Sequence, residues 1–432
     1  MPPRQQQDAA YEEDVKFDSD LAKKTLNGQD DTTSDESASS DSSSTCAPAA
    51  TVEYGRSPSL VKAVPDITPS PMPFHHRVVA DLSAMVVPGL FYLGPSLLSA
   101  TIPLLFWKWR VGLGLLLANA FLAYAPVSPW PAFRQCFQLW YERHDFHHNL
   151  LQLPPAPLAS SSTSASSQET HPASKQNVED TSVVIYSTHP HGVIPIHGYL
   201  WCAMLDQLFP QRYGVGALTD IALRLPFLRH VMSWLGSTNA SKNNLVRHLQ
   251  AGTNLYILPG GVAEIFLACP GKHVIKTPRR GLMKLALQTG ALLVPCYAFG
   301  ASDFYHQLAT YQYEVDTVKK SNNGDPTNWI GKLQRAISRQ MKGGFTFFWG
   351  TFGFPLAFSV KCSYVLGDPI EPVVGTLGQG RMNNGKQTCQ PIPEPTDEQI
   401  DELLYRYMDA LIRLFEQYKA EAGYPEAELI FE

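Results

Sequence analysis

The chain has 432 residues, of which 44% are hydrophobic and 17% charged, with 34 Lys plus Arg against 39 Asp plus Glu. This length allows one large domain or two ordinary ones, and the low charge together with 34 Pro and 8 Trp excludes a coiled coil or a wholly disordered chain. The net charge of -5 argues against a nucleic-acid-binding protein held by bulk electrostatics, so no nucleic-acid partner is expected.

Residues 1–75 are predicted to be a disordered tail. They are acidic and rich in Ser and Thr, as in DDTTSDESASSDSSSTC at 30–46, and they contain too few apolar residues to offset chain ordering. The N-terminus lacks a basic start followed by an apolar stretch, so we expect no cleavable secretory signal and a catalytic part on the cytosolic side.

Residues 76–128 are predicted to form a membrane hairpin. No charged side chain occurs from Met85 to Phe106, and a second uncharged run extends from Val111 to Pro126. The first run can cross the hydrocarbon layer of ~30 Å, which takes roughly 20 helical residues, whereas the second is somewhat short. Two crossings and a re-entrant hairpin both fit, and a buried helical pair in a soluble core is the alternative.

Prolines and a basic turn bear on the form of this hairpin. Pro88, Pro95 and Pro103 favour breaks in the first helix. Lys108 and Arg110 in the turn argue against full crossing, because cations stay preferentially on the cytosolic side.

Residues 129–432 are predicted to form an α/β domain that contains a flexible, polar low-complexity insertion at 154–180. The domain begins with an aromatic cluster typical of a membrane interface or of a core: Trp130, Phe133, Phe137, Trp140 and Tyr141. Three histidines follow, His144, His147 and His148, for which metal binding is a minor alternative. Seven cysteines without a CxxC pair predict neither a disulfide framework nor a structural metal site.

Short apolar runs alternate with amphipathic segments from Ser182 onward, which is typical of an α/β domain. The predicted strands are 182–187, 254–258, 292–299 and 360–366, and the predicted helices are 193–208, 241–251 and 280–289. A last helix follows Thr396, which forms a capping-box pattern with Gln399. Its apolar residues recur at helical spacing and predict a packing face.

The motif His189-Pro190-His191-Gly192 follows the first predicted strand and precedes an apolar helix. Reactive groups gather at the carboxyl ends of strands in open α/β sheets, and a histidine there can act as a general base near neutral pH. A rigid proline makes the two imidazoles point in different directions, so we expect one to react and the other to orient. Which one reacts stays open, and a structural histidine is the alternative.

A second polar group follows the strand at 254–258. Pro259, Gly260 and Gly261 form a turn that lets backbone approach a ligand, and Glu264 adds a carboxylate. An ordinary turn with a solvated Glu264 is the alternative.

A basic group opens the helix at 280–289. Arg279, Arg280 and Lys284 lie close together around Gly281, although cations at a helix N-terminus oppose the helix dipole. An anionic ligand such as a nucleotide phosphate would explain them. A solvated basic face, or contact with anionic lipid headgroups, is the alternative.

These motifs together resemble the type-2 diacylglycerol acyltransferase family. The resemblance rests on HPHG at 189–192, on PGG with Glu264, on the run from RRG to LVPCYAFG, and on the C-terminal segment DELLYRYMDALIRLFEQYK. It extends from about Met85 to Lys419, interrupted by the Ser-rich insertion. Departures, such as Leu282 where the family usually has Phe, bear on the choice of acceptor more than on the reaction.

The resemblance implies a glycerolipid-acyltransferase-like α/β domain behind a membrane hairpin, in the endoplasmic reticulum membrane or at lipid droplets. It implies acyl transfer from acyl-CoA to diacylglycerol without a cofactor, with acyl-CoA, diacylglycerol and membrane lipids as partners. His191 or His189 would be the base, Glu264 would orient it, and backbone N–H groups near Gly192, Gly260 and Gly261 would stabilise the oxyanion. Arg279, Arg280, Gly281 and Lys284 would bind the donor's phosphates.

Other functions stay open at this point. Monoacylglycerol acyltransferase and wax ester synthase differ from the leading hypothesis in acceptor alone. A lysophospholipid acyltransferase is disfavoured because no Asp follows the histidines at the required spacing, and a serine hydrolase is disfavoured because no G-x-S-x-G motif occurs. A non-catalytic lipid-droplet protein would need the hairpin only. Oligomeric state and acyl-chain preference are not predicted.

Overall fold

The computed structural model describes residues 74–130, 133, 146–147, 178–201, 212–308, 329–341 and 343–432. The elements given below lie within one compact unit, Ala63–Ile430, apart from the last residue of the final strand. Residues 1–73 of the predicted tail, most of the predicted insertion, and His144 and His148 lie outside the described residues.

Two consecutive helices form the predicted hairpin: α1 spans Phe74–Trp107 and α2 spans Trp109–Tyr124. The predicted helix breaks are wrong, since α1 is one continuous helix of 34 residues that includes all three prolines. Each proline removes a single backbone hydrogen bond, and the remaining hydrogen bonds are enough to keep the helical conformation unbroken over this span. One segment of α1, Pro88–Trp107, is long and apolar enough to cross a membrane.

The second helix folds back against the first. Asn119 Nδ2 donates to Thr101 Oγ1 at 3.3 Å, and both side chains are buried. Gly112 permits the close approach, because a Cβ there would lie 2.5 Å from the backbone nitrogen of Leu105. A polar bond between two apolar helices stabilises their pairing where no water competes.

Eleven strands are described within the part of the chain that the structure covers. They are β1 Phe146–His147, β2 Val184–His189, β3 Gly214–Leu218, β4 Ser237–Asn239, β5 Asn254–Ile257, β6 His273–Ile275, β7 Leu292–Phe299, β8 His306–Gln307, β9 Phe348–Trp349, β10 Cys362–Leu366 and β11 Leu429–Phe431. The helices that follow the hairpin are α3 Val178–Thr181, α4 Leu228–Trp234, α5 Lys242–Gln250, α6 Gly261–Leu267, α7 Arg280–Thr289, α8 Trp329–Met341 and α9 Asp397–Tyr418.

Seven strands form the main sheet, in the order β1-β10-β7-β2-β5-β3-β4. Strands β7, β2, β5, β3 and β4 are parallel, and β10 runs antiparallel to β7. The fold is therefore mixed α/β, as predicted. Strand β2 lies between β5 and β7 and is buried along its whole length, so its carboxyl end lies at the centre of one edge of the sheet.

Successive side chains of β2 point to opposite faces of the sheet. Tyr186 packs its ring against Trp201, which belongs to the helical residues 196–201. Ser187 instead makes a 2.6 Å hydrogen bond with the hydroxyl of Tyr407 in α9. His189, two residues further along β2, is therefore directed to the face that α9 covers.

The last helix matches its prediction most closely. The capping box between Thr396 and Gln399 is present, and α9 then runs for 22 residues. The predicted packing face is buried, namely Ile400, Leu403, Leu404, Tyr407, Leu411, Phe415 and Tyr418. This helix covers β7, where Phe415 contacts Tyr297 and Phe299.

Three local predictions differ from the structure. The first strand ends at His189 instead of residue 187, and the helix after the histidine motif starts at residue 196 instead of 193. Residues 178–180 belong to α3 and are not part of a flexible insertion. The reason is that Glu179 is buried in an ion pair of 3.0 Å with Arg212, which fixes this helix against the domain.

Candidate active site

The carboxyl ends of β2 and β5 bring His189 and Glu264 into direct contact. The two strands are parallel neighbours with Ser187 opposite Ile257, so the residues after each strand meet at one edge. His189 ends β2, and Glu264 lies in the first turn of α6, just after β5. His189 Nδ1 lies 2.6 Å from Glu264 Oε1, and the two residues are 0% and 1% exposed. The solvated Glu264 considered from the sequence is wrong.

The carboxylate of Glu264 determines the tautomer of His189. Oε2 accepts the backbone N–H of His191 at 2.7 Å, and Oε1 accepts that of Lys276 at 3.0 Å. An ionised carboxylate only accepts hydrogen bonds, so Nδ1 of His189 donates its proton to Oε1. The other ring nitrogen, Nε2, is then left with its lone pair.

Nε2 of His189 is a buried atom without a hydrogen-bond partner in the described part of the chain. Buried polar atoms are usually paired, and this one lies at the carboxyl end of the central strand, where open α/β sheets bind their ligands. An imidazole whose Nδ1–H is held by a carboxylate and whose Nε2 is free has the arrangement of a general base.

Gly260 is required by the packing of Glu264. A Cβ at Gly260 would lie 1.9 Å from Cδ of Glu264, so the glutamate side chain folds back over the glycine. Gly192 has a φ of 67°, and a Cβ there would lie 2.5 Å from the carbonyl oxygen of Ala301. Gly260 is therefore needed for the close approach of Glu264, and Gly192 for its left-handed backbone conformation.

Of the backbone N–H groups considered for the oxyanion, that of Gly261 already donates to the carbonyl of Leu258 at 3.1 Å. The N–H groups of Gly192 and Gly260 make no hydrogen bond to any described residue. Pro190 is buried between the two histidines and offers no N–H of its own.

His191 lies beside this pair but is held differently. Its backbone N–H, not its ring, contacts Glu264, and its Nδ1 donates to the carbonyl oxygen of Gly192 at 2.8 Å. The residue as a whole is half-buried. Desolvation of the ring lowers the pKa of His191, so this imidazole is neutral at neutral pH.

The predicted basic cluster divides into two parts. The side chain of Arg280 is 18% exposed and is bound by two acids of α9, Asp401 and Asp397, the latter at 2.6 Å. Arg279, the residue before α7, and Lys284, within α7, are exposed. Gly281 is exposed at the start of α7, and a Cβ there would meet nothing within 4 Å. Arg280 therefore joins α7 to α9, while the other two cations face solvent.

One contribution to the site and one buried histidine were not predicted from the sequence. The backbone N–H of Lys276 is the third donor to Glu264, and nothing in a sequence marks a backbone group. His197 is fully buried, and neither of its ring nitrogens has a partner among the described residues. Its position six residues after His191 could have been noted, but an isolated histidine in an apolar helix is no signal of function.

Within the described residues, no group of three or more His, Cys, Asp and Glu side chains could hold a metal ion. The arrangement is thus an α/β sheet that presents a buried histidine–glutamate pair at the end of its central strand. This arrangement suits proton removal from a hydroxyl group.

Comparison with known proteins identifies the class as acyltransferases. The profile of the diacylglycerol acyltransferase family matches residues 173–432, which include the whole candidate site. The chain belongs to this family. The matched region begins after the hairpin, so the resemblance over the residues from Met85 up to the insertion is not part of the match.

The chain is similar to individual curated proteins over more than half of its length. It is 30% identical to mouse (Mus musculus) diacylglycerol O-acyltransferase 2-like protein 6 over 55% of this chain and 67% of that protein. It is 28% identical to bovine (Bos taurus) 2-acylglycerol O-acyltransferase 1 over 57% of this chain and 69% of that protein. It is 27% identical to human (Homo sapiens) diacylglycerol O-acyltransferase 2 over 59% of this chain and 61% of that protein.

Among solved structures, the 1-acyl-sn-glycerophosphate acyltransferase PlsC from Thermotoga maritima aligns with 77% of this chain and 98% of its own. The TM-score is 0.28 at 10% identity, which is too low to support an argument about fold or function.

Proposed function

We propose that this protein transfers an acyl group from acyl-CoA to diacylglycerol and releases triacylglycerol and CoA. Membership of the diacylglycerol acyltransferase family supports the reaction class. The observation that carries the mechanism is the buried 2.6 Å contact between His189 and Glu264, with Nε2 of His189 free. We take His189 as the general base, a choice that the sequence left open.

The proposed reaction needs two proton transfers, one to His189 and one from it. Nε2 of His189 takes the proton of the acceptor hydroxyl while that oxygen attacks the thioester carbonyl. The tetrahedral intermediate then expels the CoA thiolate, which receives the proton from the imidazolium. Glu264 stabilises the cationic ring through Nδ1–H, and no covalent acyl-enzyme forms.

The N–H groups of Gly192 and Gly260 are the proposed donors to the oxyanion, because neither is engaged by a described residue. Arg279 and Lys284 are the proposed contacts for the phosphates of acyl-CoA, since both cations are exposed.

Attachment to the endoplasmic reticulum membrane or to lipid droplets, with the α/β domain on the cytosolic side, completes the proposal. It is supported by the apolar segment Pro88–Trp107 and the shorter apolar helix that returns from it. The many exposed apolar side chains of both helices would lie in hydrocarbon instead of water.

Monoacylglycerol is the second candidate acceptor. It is favoured by the similarity to bovine 2-acylglycerol O-acyltransferase 1, which is close to the similarity with human diacylglycerol O-acyltransferase 2. Wax ester synthesis and a non-catalytic role at lipid droplets are the remaining alternatives.

The test uses membranes that contain the full chain, labelled oleoyl-CoA, and diacylglycerol, monoacylglycerol or a long-chain alcohol as acceptor. We expect label in triacylglycerol. Label in wax ester alone would contradict the proposed acceptor, and no label in any product would favour the non-catalytic alternative.

The same assay separates the two histidines. His189→Ala should lower kcat by about 10²- to 10⁴-fold, as removal of a general base does. His191→Ala should cost less, because its contact with Glu264 comes from the backbone N–H and survives the substitution. His248→Ala, in α5, is the matched control outside the site. A larger loss for His191→Ala than for His189→Ala would contradict the assignment of the base.

A further inference from the structure

A second apolar surface lies in the α/β domain. No charged side chain occurs from Gly343 to Val360. Within this run, residues 347–354 form a segment that we call the aromatic loop. It carries four exposed aromatic side chains: Phe347, Trp349, Phe352 and Phe354.

Hydrogen bonds hold the aromatic loop in a defined shape. The N–H of Gly350 donates to the carbonyl of Phe354 at 2.7 Å, and that of Thr351 donates to the carbonyl of Leu356 at 2.7 Å. A Cβ at Gly350 would lie only 2.0 Å from the carbonyl oxygen of Leu356, so the turn closes tightly on a glycine. A hydrogen-bonded turn therefore holds the exposed aromatic side chains at the surface.

Phe352 combines an unusual backbone conformation with an exposed aromatic ring. Its φ is 58°, in the left-handed region that non-glycine residues rarely adopt. Its side chain is also 89% exposed. Transfer of such a ring from water to an apolar environment is favourable, because it removes a large apolar surface from water.

The aromatic loop lies against the start of the apolar segment Pro88–Trp107. The hydroxyl of Tyr92 donates to the carbonyl of Phe348 at 2.6 Å and accepts its N–H at 2.7 Å, and the two rings stack with centroids 4.8 Å apart. A Cβ at Gly89 would lie 3.9 Å from Pro355. Gly89 and Tyr92 both belong to the first residues of the segment that could cross a membrane.

We propose that the aromatic loop enters the interfacial region of the same bilayer as the hairpin and forms a second membrane contact of the α/β domain. Trp is enriched at that depth, and Phe and Trp form the apolar face of segments that lie there, so that exposed rings leave water while backbone groups still reach it. The uncharged sequence and the direct continuity with α1 favour a phospholipid surface over a protein partner. The inference rests on the proposed membrane attachment of the hairpin.

The aromatic loop is connected to the candidate site through one side chain. Strand β9, at the start of the loop, pairs with β8, where Gln307 lies opposite Phe348. Nε2 of Gln307 donates to the carbonyls of Ile265 at 2.6 Å and Ala268 at 2.9 Å, at the helix that carries Glu264. Gln307 thus joins the strand pair at the start of the aromatic loop to the helix that carries Glu264.

The test places a fluorescent amino acid at Phe352, Phe354, Leu117 or Tyr405 of the full chain, one site at a time. Phe354 and Tyr405 form a matched pair, since both are aromatic and 59% exposed, but Tyr405 lies on α9. Leu117 reports on the hairpin. Each protein is reconstituted in phosphatidylcholine vesicles with or without bromine on the acyl chains, which quenches only probes at membrane depth. Unchanged thermal unfolding confirms that each labelled protein is folded.

We expect bromine to quench the probes at Phe352, Phe354 and Leu117 and to leave the probe at Tyr405 unaffected. Quenching at Leu117 alone would overturn the inference while the membrane attachment of the hairpin stands. No quenching at any site would overturn the attachment and the inference together. Protection of the loop from an aqueous quencher without quenching by bromine would indicate a protein partner, which also overturns the inference.

Discussion

At the candidate active site, a glycine and a glutamate determine each other's position. The sequence suggested that the turn at Gly260 lets backbone approach a ligand. The structure shows that Gly260 also makes room for the side chain of Glu264, which folds over it to reach His189. A residue type that looked like part of a binding loop thus holds the partner of the proposed base.

Gly260→Ala should displace the carboxylate of Glu264 and lower acyl transfer by about 10²-fold, because small misplacements of catalytic groups cost that much. Thermal unfolding and initial rates measured on the same preparation separate loss of fold from loss of positioning. Gly114→Ala is the control, since a Cβ there meets nothing within 4 Å and its φ is not positive. Activity near that of the unchanged protein would show that Glu264 does not act from this position.

Among the helices, α7 and α9 are joined by an ion-pair group that the sequence did not indicate. Arg280 is held by Asp397 and Asp401 from the first turns of α9, 117 and 121 residues further along the chain. Acids near the N-terminus of α9 are also favourable for its dipole. The cation that was predicted to bind a nucleotide phosphate therefore has a structural partner, and its binding role stays a prediction.

Arg280→Ala and Asp401→Asn should each destabilise the protein by about 1 kcal/mol or less, and the double variant by less than their sum. The KM for acyl-CoA should stay unchanged in all three. Arg279→Ala and Lys284→Ala, which remove the exposed cations just before and within the same helix, should raise this KM without changing the unfolding temperature. A raised KM with unchanged unfolding in Arg280→Ala would instead support the role predicted from the sequence.

Across the protein, histidines buried in their neutral form make global stability depend on pH. His197 is fully buried, and desolvation lowers its pKa to about 3, with a smaller contribution from His191. The unfolded chain binds a proton at a pKa of about 6.5, so it takes up protons that the folded protein cannot. The contribution of neutral His197 to the free energy of unfolding is therefore fully present above a pH of about 6.5 and is lost progressively as the pH falls below that value.

Between pH 7 and pH 5, His197 should account for a loss of about 2 kcal/mol of unfolding free energy, since each pKa unit is worth about 1.4 kcal/mol. Thermal unfolding of the detergent-solubilised protein at both pH values measures this loss. His197→Gln removes the titration and should flatten the pH dependence by that amount, whatever its effect at pH 7. Parallel pH profiles of the two proteins would contradict the buried neutral state of His197.

Local patterns were sufficient for the features that depend on neighbours in the chain. The uncharged runs predicted the apolar helices of the hairpin, alternation predicted β2 and β7, and Thr396 with Gln399 predicted the start of α9. Turn residues and strand ends also indicated where polar groups would collect, because parallel strands end at one edge of a sheet. Family membership followed from the same motifs.

Contacts between distant residues decided the remaining features. His189 meets Glu264 across 75 positions of the chain, and this contact, not the motif, distinguishes the two histidines. Arg280 forms ion pairs with acids of α9 that lie more than a hundred residues away in the sequence, so no local pattern predicts them. The aromatic loop was missed because its rings are exposed by a turn whose position beside Tyr92 exists only after folding. Local preferences act over a few residues, whereas charge pairing, burial and surface continuity depend on which segments packing brings together.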